Sequence, residues 1–270
     1  MPTYDDDLRL AHVLADAVES TTTRRFKASD LVVETKPDLS PVSDADLAAE
    51  ELIRGQLKRT RPRDAVSGEE FETTGHGPRR WVIDPIDGTK NFVRGVPVWA
   101  TLIGLVVDEK PVLGLVAAPA LNRRWWAATG SGAWTGRSLS SAKRIGVSKV
   151  SRVSDASMSY SSLGGWAKVG RRDQLLDLMD DCWRTRAYGD FWSHMLVAEG
   201  AVDIAPEPEL AVYDMAALVP IVQEAGGRFT GLDGREGCWS GNALSTNGLL
   251  HDDVLARLGT RADADTLPTG

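Results

Sequence analysis

The most informative stretch of this sequence is residues 84–89, which read Asp-Pro-Ile-Asp-Gly-Thr and follow the apolar run 81–83. A residue that precedes proline is restricted to extended conformations, so Asp84 is predicted to be the last residue of a strand. The turn after it can bring the carboxylates of Asp84 and Asp87 to one point, with the carbonyl of Ile86 between them. Hard oxygen atoms grouped in this way are the ligands that Mg²⁺ prefers.

The two residues that follow could place an anion beside such a cation. Gly88 allows a close approach of the backbone, and Thr89 is expected to open the next segment with free backbone N–H groups. If a helix begins at Thr89, its N-terminus is suited to bind a phosphate group. An ordinary turn uses the same residue types, because Asp, Pro and Gly are all common in turns. Residues 84–89 alone therefore leave a cation–phosphate site and a plain turn equally open.

Three further acidic segments help to decide between these interpretations. Residues 43–46 end in Asp46, the Gly-Glu-Glu of residues 68–70 contains Glu69, and Asp214 stands at the start of an apolar helix. Each segment taken alone is more easily explained as an ordinary loop or as a helix cap, since Asp is a common N-cap residue. Their joint occurrence with residues 84–89, in this order, favours a metal site built from several acidic groups.

The same segments carry a resemblance to the inositol monophosphatase family, the lithium-sensitive, magnesium-dependent phosphomonoesterases. The matching motifs are Pro-Val-Ser-x-x-Asp at 41–46, Gly-Glu-Glu at 68–70, the stretch 84–89, Gly-x-Val-x-x-Pro-Ala-Leu at 114–121, Tyr-Asp-Met-Ala-Ala at 213–217 and Glu-Ala-Gly-Gly at 224–227. The resemblance spans about residues 5–258, and this set of motifs is specific. One departure is Tyr213, where the family usually has Trp, so an aromatic residue is retained there.

This resemblance implies a site and a reaction. It implies that two or three Mg²⁺ are held by four carboxylates and one backbone carbonyl, those of Glu69, Asp84, Asp87, Asp214 and Ile86. Asp46, Thr89 and Glu69 would be the catalytic residues, which orient and deprotonate the attacking water. The water attacks the phosphorus in line, and Gly88 and Thr89 contact the phosphate. Lys36, in the preceding loop, could bring its side chain to the same site, but such a lysine is more often solvated, so Lys36 is left out of this set.

Selectivity for one phosphate ester depends on the groups that face the alcohol. Asp190 follows Gly189 at a strand-to-helix junction where sugar-alcohol phosphatases of the family usually have Thr or Ser, and Glu207 and Glu209 precede Asp214. With Arg186, these acidic residues are the predicted substrate contacts, and carboxylates here suit a cationic alcohol such as L-histidinol. The segments most similar to the histidinol-phosphate phosphatases of the family are residues 91–100, 123–128 and 186–193.

The resulting hypothesis is a Mg²⁺-dependent hydrolysis of L-histidinol phosphate to L-histidinol and phosphate by a metal-activated water, within histidine biosynthesis. Two alternatives stay open on the sequence alone. One is a phosphatase for inositol 1-phosphate or for sugar phosphates in general, in which Asp190 is only a helix N-cap. The other is an RNA-polymerase-associated binding protein of the same family, and the full set of acidic residues counts against it.

Composition restricts the other classes of function. The 270 residues carry a net charge of -7 and a pI of about 5.2, which argues against a nucleic-acid-binding protein because such proteins usually have a basic face. Two cysteines far apart predict neither a disulfide framework nor a zinc site. The chain starts without the apolar segment of a signal peptide, and no run approaches ~18 apolar residues. We therefore expect a cytoplasmic protein that contacts neither nucleic acid nor membrane.

The pattern of elements predicts how these residues are positioned. Apolar residues at helical spacing predict helices that include 4–27, 46–59, 213–225 and 247–258, and strands are predicted from 81 onward, with a hairpin at 109–110. With the resemblance, this order predicts an α/β fold, a layered αβαβα sandwich with mixed and antiparallel sheets. The predicted division is residues 1–145 with most metal ligands, 146–258 with the specificity residues, and a disordered tail at 259–270. Since the family commonly dimerises, the resemblance also implies a homodimer.

Overall fold

The computed structural model describes residues 3–37 and 39–259, so residues 260–270 of the predicted tail lie outside the described part. Its helices are α1 (Asp5–Arg25), α2 (Asp44–Thr60), α3 (Thr89–Arg94), α4 (Leu163–Lys168), α5 (Arg172–Asp181), α6 (Asp190–Ala198), α7 (Val212–Met215), α8 (Leu218–Glu224) and α9 (His251–Leu258). Its strands are β1 (Val33–Thr35), β2 (Pro41–Ser43), β3 (Ala65–Gly68), β4 (Arg79–Asp87), β5 (Ala100–Val107), β6 (Lys110–Ala118), β7 (Arg123–Ala128), β8 (Ala133–Gly136), β9 (Lys143–Arg144), β10 (Ser157–Ser159), β11 (Arg184–Arg186), β12 (Ile204–Glu207), β13 (Arg228–Thr230) and β14 (Ala243–Thr246). Within the described ranges, none of the helices combines the length and the apolar character that a membrane span needs.

Two large sheets organise the chain. The first has the strand order β3-β4-β5-β6-β7-β8-β9 and is antiparallel except for the parallel pair β3 and β4. The second has the order β11-β10-β12-β14-β13, in which β10 runs parallel to both of its neighbours and β14 antiparallel to both of its own. The short strands β1 and β2 form a separate antiparallel pair.

Helices cover the faces of these sheets. Along β4, Trp81 and Ile83 pack with the apolar residues of α1 and α2, whereas Val82 packs with those of α8, as the two-residue repeat of a strand requires. Helices α6 and α8 lie between the sheets, and α4, α5 and α9 pack on the outer face of the second sheet. The layers are therefore α, β, α, β, α, which confirms the predicted fold class. The predicted division at residue 145 falls between the two sheets, and domain organisation itself stays a prediction.

Strand β4 carries Asp84 and Asp87 and differs from the prediction. The strand does not end at Asp84, because it continues to Asp87 with a register shift against β5 between these two residues. The Thr101 hydroxyl donates to the Pro85 carbonyl (2.8 Å), and the Ile86 N–H donates to Asp84 Oδ1 (3.0 Å). In a regular strand, residues three apart point to opposite faces, and a bulge brings them to the same side. A strand bulge, and not a turn, thus brings the two carboxylates together.

Two of the predicted helices are also corrected. Residues 213–225 form α7 and α8, because Pro220 has no N–H to donate to the carbonyl of Ala216 four residues earlier. The backbone between them keeps right-handed helical angles at Ala216 and Ala217. The helix predicted over residues 247–258 begins later, at His251, after Gly248 adopts a left-handed φ of 85°.

Candidate active site

Three carboxylates meet between the bulged end of β4 and helix α7. Asp84 and Asp87 come from β4 and Asp214 from α7; each offers one oxygen, and these oxygens all lie within 4.8 Å of one another. The Phe191 N–H donates to Asp87 Oδ2 (2.7 Å), and the Ala211 N–H donates to Asp214 Oδ2 (2.7 Å). The structure therefore brings together three of the predicted metal ligands, and backbone groups orient two of them.

The electrostatics of this acidic cluster are unfavourable for three charged groups. Burial raises the pKa of Asp84 well above its usual range, and the charges of Glu69 and Asp87 raise it further. The pKa of Asp87 is raised mainly by burial and next by the charge of Asp190. Burial raises the pKa of Asp214 to about 7. In the part of the chain that the structure describes, no Lys or Arg forms an ion pair with any of the three. A divalent cation with hard oxygen ligands would relieve this repulsion, so the donor set fits Mg²⁺.

Glu69 lies near the acidic cluster and is paired with a lysine. Its Oε1 accepts a hydrogen bond from Lys36 Nζ at 2.7 Å, and Glu70 Oε1 accepts one from the same ammonium group at 2.8 Å. Lys36 belongs to the loop between β1 and β2, and its side chain is only 19% exposed. The expectation of a solvated Lys36 is therefore wrong, and the alternative, in which its side chain approaches this site, is confirmed. The contact joins residues 33 positions apart through a loop, and neither periodicity nor a motif indicates it.

Asp46 and Thr89, two of the predicted catalytic residues, also lie together. Asp46 is in the first turn of α2, where the N–H and hydroxyl of Ser43 donate to its Oδ2 at 2.8 and 2.5 Å. The Thr89 hydroxyl donates to the Ile86 carbonyl (3.0 Å) and lies 3.4 Å from Asp46 Oδ1. Burial raises the pKa of Asp46 to about 6. Gly88, with a left-handed φ of 82°, lets the chain turn from β4 into α3 and so places Thr89 next to Asp46.

Asp190 does not cap its own helix. The N-cap residue of α6 is Gly189 and no side chain caps the helix, while Asp190 itself has a left-handed φ of 49°. Its Oδ2 accepts a hydrogen bond from Asn91 Nδ2 on α3 (2.9 Å), and the same amide group donates to the Val98 carbonyl (2.9 Å). The interpretation of Asp190 as a helix N-cap is therefore wrong. Its carboxylate faces α3 and lies close enough to Asp87 to raise the pKa of that residue.

Glu207, at the end of β12, is buried with one carboxylate oxygen unused. The residue is 3% exposed; its Oε2 accepts a hydrogen bond from the Ser161 hydroxyl, and its Oε1 has no partner within the described residues. Burial raises the pKa of Glu207 to about 8, and the charges of Asp190 and Asp214 raise it as well. Because buried polar atoms are normally hydrogen-bonded, the free oxygen is available to a donor on a ligand.

The structure does not bring the other two predicted substrate contacts to this place. Arg186 lies exposed on β11, at the edge of the second sheet, where its guanidinium donates to the Thr185 carbonyl. Glu209 is 53% exposed and pairs with Lys168 of α4 at 3.2 Å. Both residues are predicted because they lie near Asp190 and Asp214 in the sequence. In the structure, the side chains of Arg186 on β11 and of Glu209 in the loop after β12 lie on the surface instead.

The model of the inositol monophosphatase family matches residues 4–262. The chain belongs to the inositol monophosphatase family. This family member is 66% identical over 265 residues to a histidinol-phosphatase of Streptomyces coelicolor, with 97% of the chain and 100% of the relative covered. It is 57% identical over 255 residues to a histidinol-phosphatase of Mycobacterium tuberculosis, with 94% and 98% covered.

Solved structures agree with this assignment of the family member. An inositol monophosphatase from Zymomonas mobilis matches it with a TM-score of 0.84 at 32% identity, covering 96% of this chain and 99% of the other. The IMPase of Thermotoga maritima matches with a TM-score of 0.84 at 30% identity, covering 94% and 96%. The resemblance recognised in the acidic motifs is thus confirmed. Members of this family are generally metal-dependent, in agreement with the acidic cluster.

Proposed function

We propose that this chain is a Mg²⁺-dependent histidinol-phosphatase, a phosphoric monoester hydrolase that converts L-histidinol phosphate to L-histidinol and phosphate in histidine biosynthesis. The two histidinol-phosphatases at 66% and 57% identity cover nearly the whole chain and support this substrate. In the structure, the observation that carries the proposal is the carboxylate of Asp190, which leaves its own helix uncapped and turns toward α3 and Asp87.

Asp190 and Glu207 suit an alcohol that carries positive charge. L-Histidinol has an ammonium group and an imidazole, and both can donate hydrogen bonds to carboxylate oxygens. The unused Oε1 of Glu207 accepts one such bond, and Asp190 accepts another. A bound cation favours the ionised form of these two largely buried acidic groups, whereas a neutral polyol offers no charge to offset their burial and should bind less tightly. We therefore assign recognition of the leaving group to Asp190 and Glu207, and we leave the surface residues Arg186 and Glu209 out.

The proposed ligands of two or three Mg²⁺ are the carboxylates of Glu69, Asp84, Asp87 and Asp214 and the carbonyl of Ile86. Bound there, Mg²⁺ supplies a Lewis acid that neutralises phosphate charge and stabilises the leaving oxygen. The protein contributes the arrangement of the donors: the β4 bulge, the backbone bonds to Asp87 and Asp214, and the loop that carries Glu69. The hydrogen bond from Lys36 uses Oε1 of Glu69, so Oε2 of the same carboxylate can serve as a ligand while the ion pair persists.

Asp46 and Thr89 are proposed to hold the attacking water. Asp46 Oδ1 and the Thr89 hydroxyl are 3.4 Å apart, so one water molecule can contact both. The Thr89 proton is directed to the Ile86 carbonyl, which leaves a lone pair of the hydroxyl for a hydrogen of the water. The Asp46 carboxylate then accepts the proton that the water loses. Gly88 and Thr89 remain the proposed contacts of the phosphate group.

Phosphate release in the presence of Mg²⁺ tests this function on L-histidinol phosphate and inositol 1-phosphate at matched concentrations. We expect a kcat/KM preference for L-histidinol phosphate above ~100-fold, about 2.7 kcal/mol. Asp190→Asn removes the charge, keeps the shape and tolerates a left-handed φ, and it should abolish most of the preference. Glu209→Gln is the matched control, since Glu209 is paired with Lys168 on the surface, and it should keep the preference.

Equal turnover of both esters, unchanged in Asp190→Asn, would contradict the proposed substrate and indicate a general phosphomonoesterase. Turnover of neither ester would contradict the proposed enzymatic activity and favour the hypothesis of an RNA-polymerase-associated binding protein. A homodimer is proposed on the family resemblance alone, and a cytoplasmic location remains the expectation drawn from the sequence. Light scattering coupled to size-exclusion chromatography measures the oligomeric state directly.

A further inference from the structure

Glu50 lies one helical turn after Asp46 on α2, so the two carboxylates share one side of the helix. The side chain of Glu50 is 0% exposed, and no step of the proposed reaction uses it. A buried carboxylate is costly unless it is paired and hydrogen-bonded. Its partners therefore indicate what the burial of this charge achieves.

The loop after β3 depends on Glu50 for its backbone hydrogen bonds. The Glu69 N–H still donates to the Ile83 carbonyl of β4, at 3.2 Å. Beyond this point the Glu70 N–H donates to Glu50 Oε2 (2.8 Å), and the Phe71 N–H donates to Glu50 Oε1 (3.3 Å). One carboxylate thus replaces the strand partner for the two residues that directly follow Glu69.

Arg54 holds Glu50 and the loop at the same time. Its Nε donates to Glu50 Oε1 (2.7 Å) one turn earlier on α2. Its Nη2 donates to the Phe71 carbonyl (2.9 Å), and its Nη1 donates to the Thr74 hydroxyl (3.3 Å). The guanidinium carbon also lies 5.8 Å from the centroid of the Phe71 ring. The planar group with its fixed donors therefore ties helix and loop together.

Gly68 provides the space that the carboxylate of Glu50 occupies. A Cβ atom at this position would lie 2.0 Å from Glu50 Oε1 and 2.3 Å from Glu50 Cδ. The carboxylate therefore packs directly on the backbone of the last residue of β3, one residue before Glu69. In the Gly-Glu-Glu motif, the glycine is required by this close approach.

We propose that Glu50, braced by Arg54, is a positioning residue that sets the loop backbone from which Glu69 reaches the acidic cluster, a role that rests on the proposed function of Glu69 as a Mg²⁺ ligand. Lys36 binds the side chain of Glu69, whereas Glu50 binds the backbone N–H groups of the two residues that follow Glu69. The loop backbone is therefore held independently of the Lys36–Glu69 ion pair.

The test is isothermal titration of Mg²⁺ into the metal-free full-length protein, together with kinetics on L-histidinol phosphate. In Glu50→Gln, one amide oxygen cannot replace two carboxylate oxygens that accept three N–H donors. Affinity for Mg²⁺ should fall about 10–100-fold, the usual effect of removing a group that orients a metal ligand. The drop in kcat at low Mg²⁺ should be recovered at high Mg²⁺, with little change in KM.

Two variants on α2 control for general damage to the helix. Glu51→Gln changes the same residue type at the exposed neighbouring position. Ile53→Val removes a methyl group from a fully buried side chain on the same helix, which lowers Tm without touching the loop. Both should leave Mg²⁺ affinity unchanged. A loss of Mg²⁺ affinity in Ile53→Val as large as that in Glu50→Gln would overturn the positioning role. Glu50 would then act only by stabilising α2.

Glu69→Gln separates this proposal from the proposed function. If Glu69→Gln weakens Mg²⁺ binding and Glu50→Gln does not, the positioning role is wrong and the Mg²⁺ site stands. If Glu69→Gln leaves Mg²⁺ binding at the wild-type level, the assignment of Glu69 as a ligand is itself wrong. Weaker binding in both variants, with normal binding in Glu51→Gln and Ile53→Val, is the expected result.

Discussion

Asn91 and Asp190, 99 positions apart in the sequence, are joined by a hydrogen bond of 2.9 Å from Asn91 Nδ2 to Asp190 Oδ2. Asn91 belongs to α3, the short helix that follows the proposed metal ligands of β4, and Asp190 is the first residue of α6. The same amide nitrogen donates to the Val98 carbonyl, which fixes its orientation. The bond therefore connects the proposed metal ligands with the carboxylate that is proposed to select the substrate.

Removal of this bond should affect substrate binding more than chemistry. Asn91→Ala removes the group that orients Asp190, so KM for L-histidinol phosphate should rise roughly tenfold. The corresponding loss of binding free energy is close to the lower end of the about 1.5–3 kcal/mol that a hydrogen bond to a charged group contributes. Steady-state kinetics measure the change, and Val93→Ala on the same helix is the control. A fall in kcat at constant KM would contradict the role of Asn91 in orienting Asp190.

The bulge in β4 should depend on the buried hydroxyl of Thr101. Thr101→Val keeps the shape but removes the bond to the Pro85 carbonyl, so the free energy of unfolding should fall by about 1–2 kcal/mol and Mg²⁺ should bind more weakly. Thr135→Val is matched, because the Thr135 hydroxyl donates to the Arg124 carbonyl on the same sheet. Thr135→Val should lower the free energy of unfolding and leave Mg²⁺ affinity unchanged. Equal Mg²⁺ affinity in both variants would show that the bulge does not need this bond.

Addition of Mg²⁺ should stabilise the protein, because it binds the folded state and relieves repulsion among buried carboxylates. At 100 times Kd the gain per site is about 2.7 kcal/mol, which corresponds to a rise in Tm of roughly 5–10 °C. Asp214→Asn should raise Tm in EDTA and lose most of the increase with Mg²⁺. Differential scanning calorimetry with EDTA and with Mg²⁺ measures both effects, and identical increments in variant and wild type would exclude Asp214 as a ligand.

His194 should make stability depend on pH. Burial lowers its pKa from 6.5 to about 4, so between these values the unfolded state binds the additional proton. The stabilisation is complete above about pH 6.5 and is lost as the pH falls toward 4. When the pH is lowered from 7 to 5, wild type should therefore lose about 2 kcal/mol more of its free energy of unfolding than His194→Gln loses.

Chemical denaturation at both pH values measures this difference for His194→Gln. His76→Gln serves as the control, since His76 is exposed in the loop between β3 and β4. A difference between His194→Gln and wild type that stays constant with pH would show that His194 is not held neutral in the folded state.

Gly68→Ala should reproduce the effect of Glu50→Gln on Mg²⁺ affinity, since the added Cβ collides with the Glu50 carboxylate. Gly55→Ala on α2 is the control, because its nearest atom lies at 4.0 Å and alanine stabilises a helix interior by about 1 kcal/mol. Titration calorimetry and Tm separate the two variants. Normal Mg²⁺ binding in Gly68→Ala would show that the loop tolerates a displaced Glu50.

Several features of the molecule follow from the sequence alone. Apolar residues at helical spacing predict α1 and α2, and the hairpin at residues 109–110 is found where the apolar runs predict it. The acidic motifs identify the family and bring Asp84, Asp87 and Asp214 into one hypothesis before their oxygens are seen within 4.8 Å. Residue type and local spacing suffice here, because they determine backbone conformation and the kind of cation that the oxygens can bind.

Other features were decided only by the tertiary structure. Lys36 reaches Glu69, Asp190 turns from its helix to Asn91, and Glu50 supports the loop of residues 69–71. Conversely, Arg186 and Glu209 lie near substrate residues in sequence but point to the surface. Each of these outcomes depends on which elements pack together and on which buried polar group lacks a partner. Such contacts join residues tens of positions apart, and no local pattern of residue types encodes them.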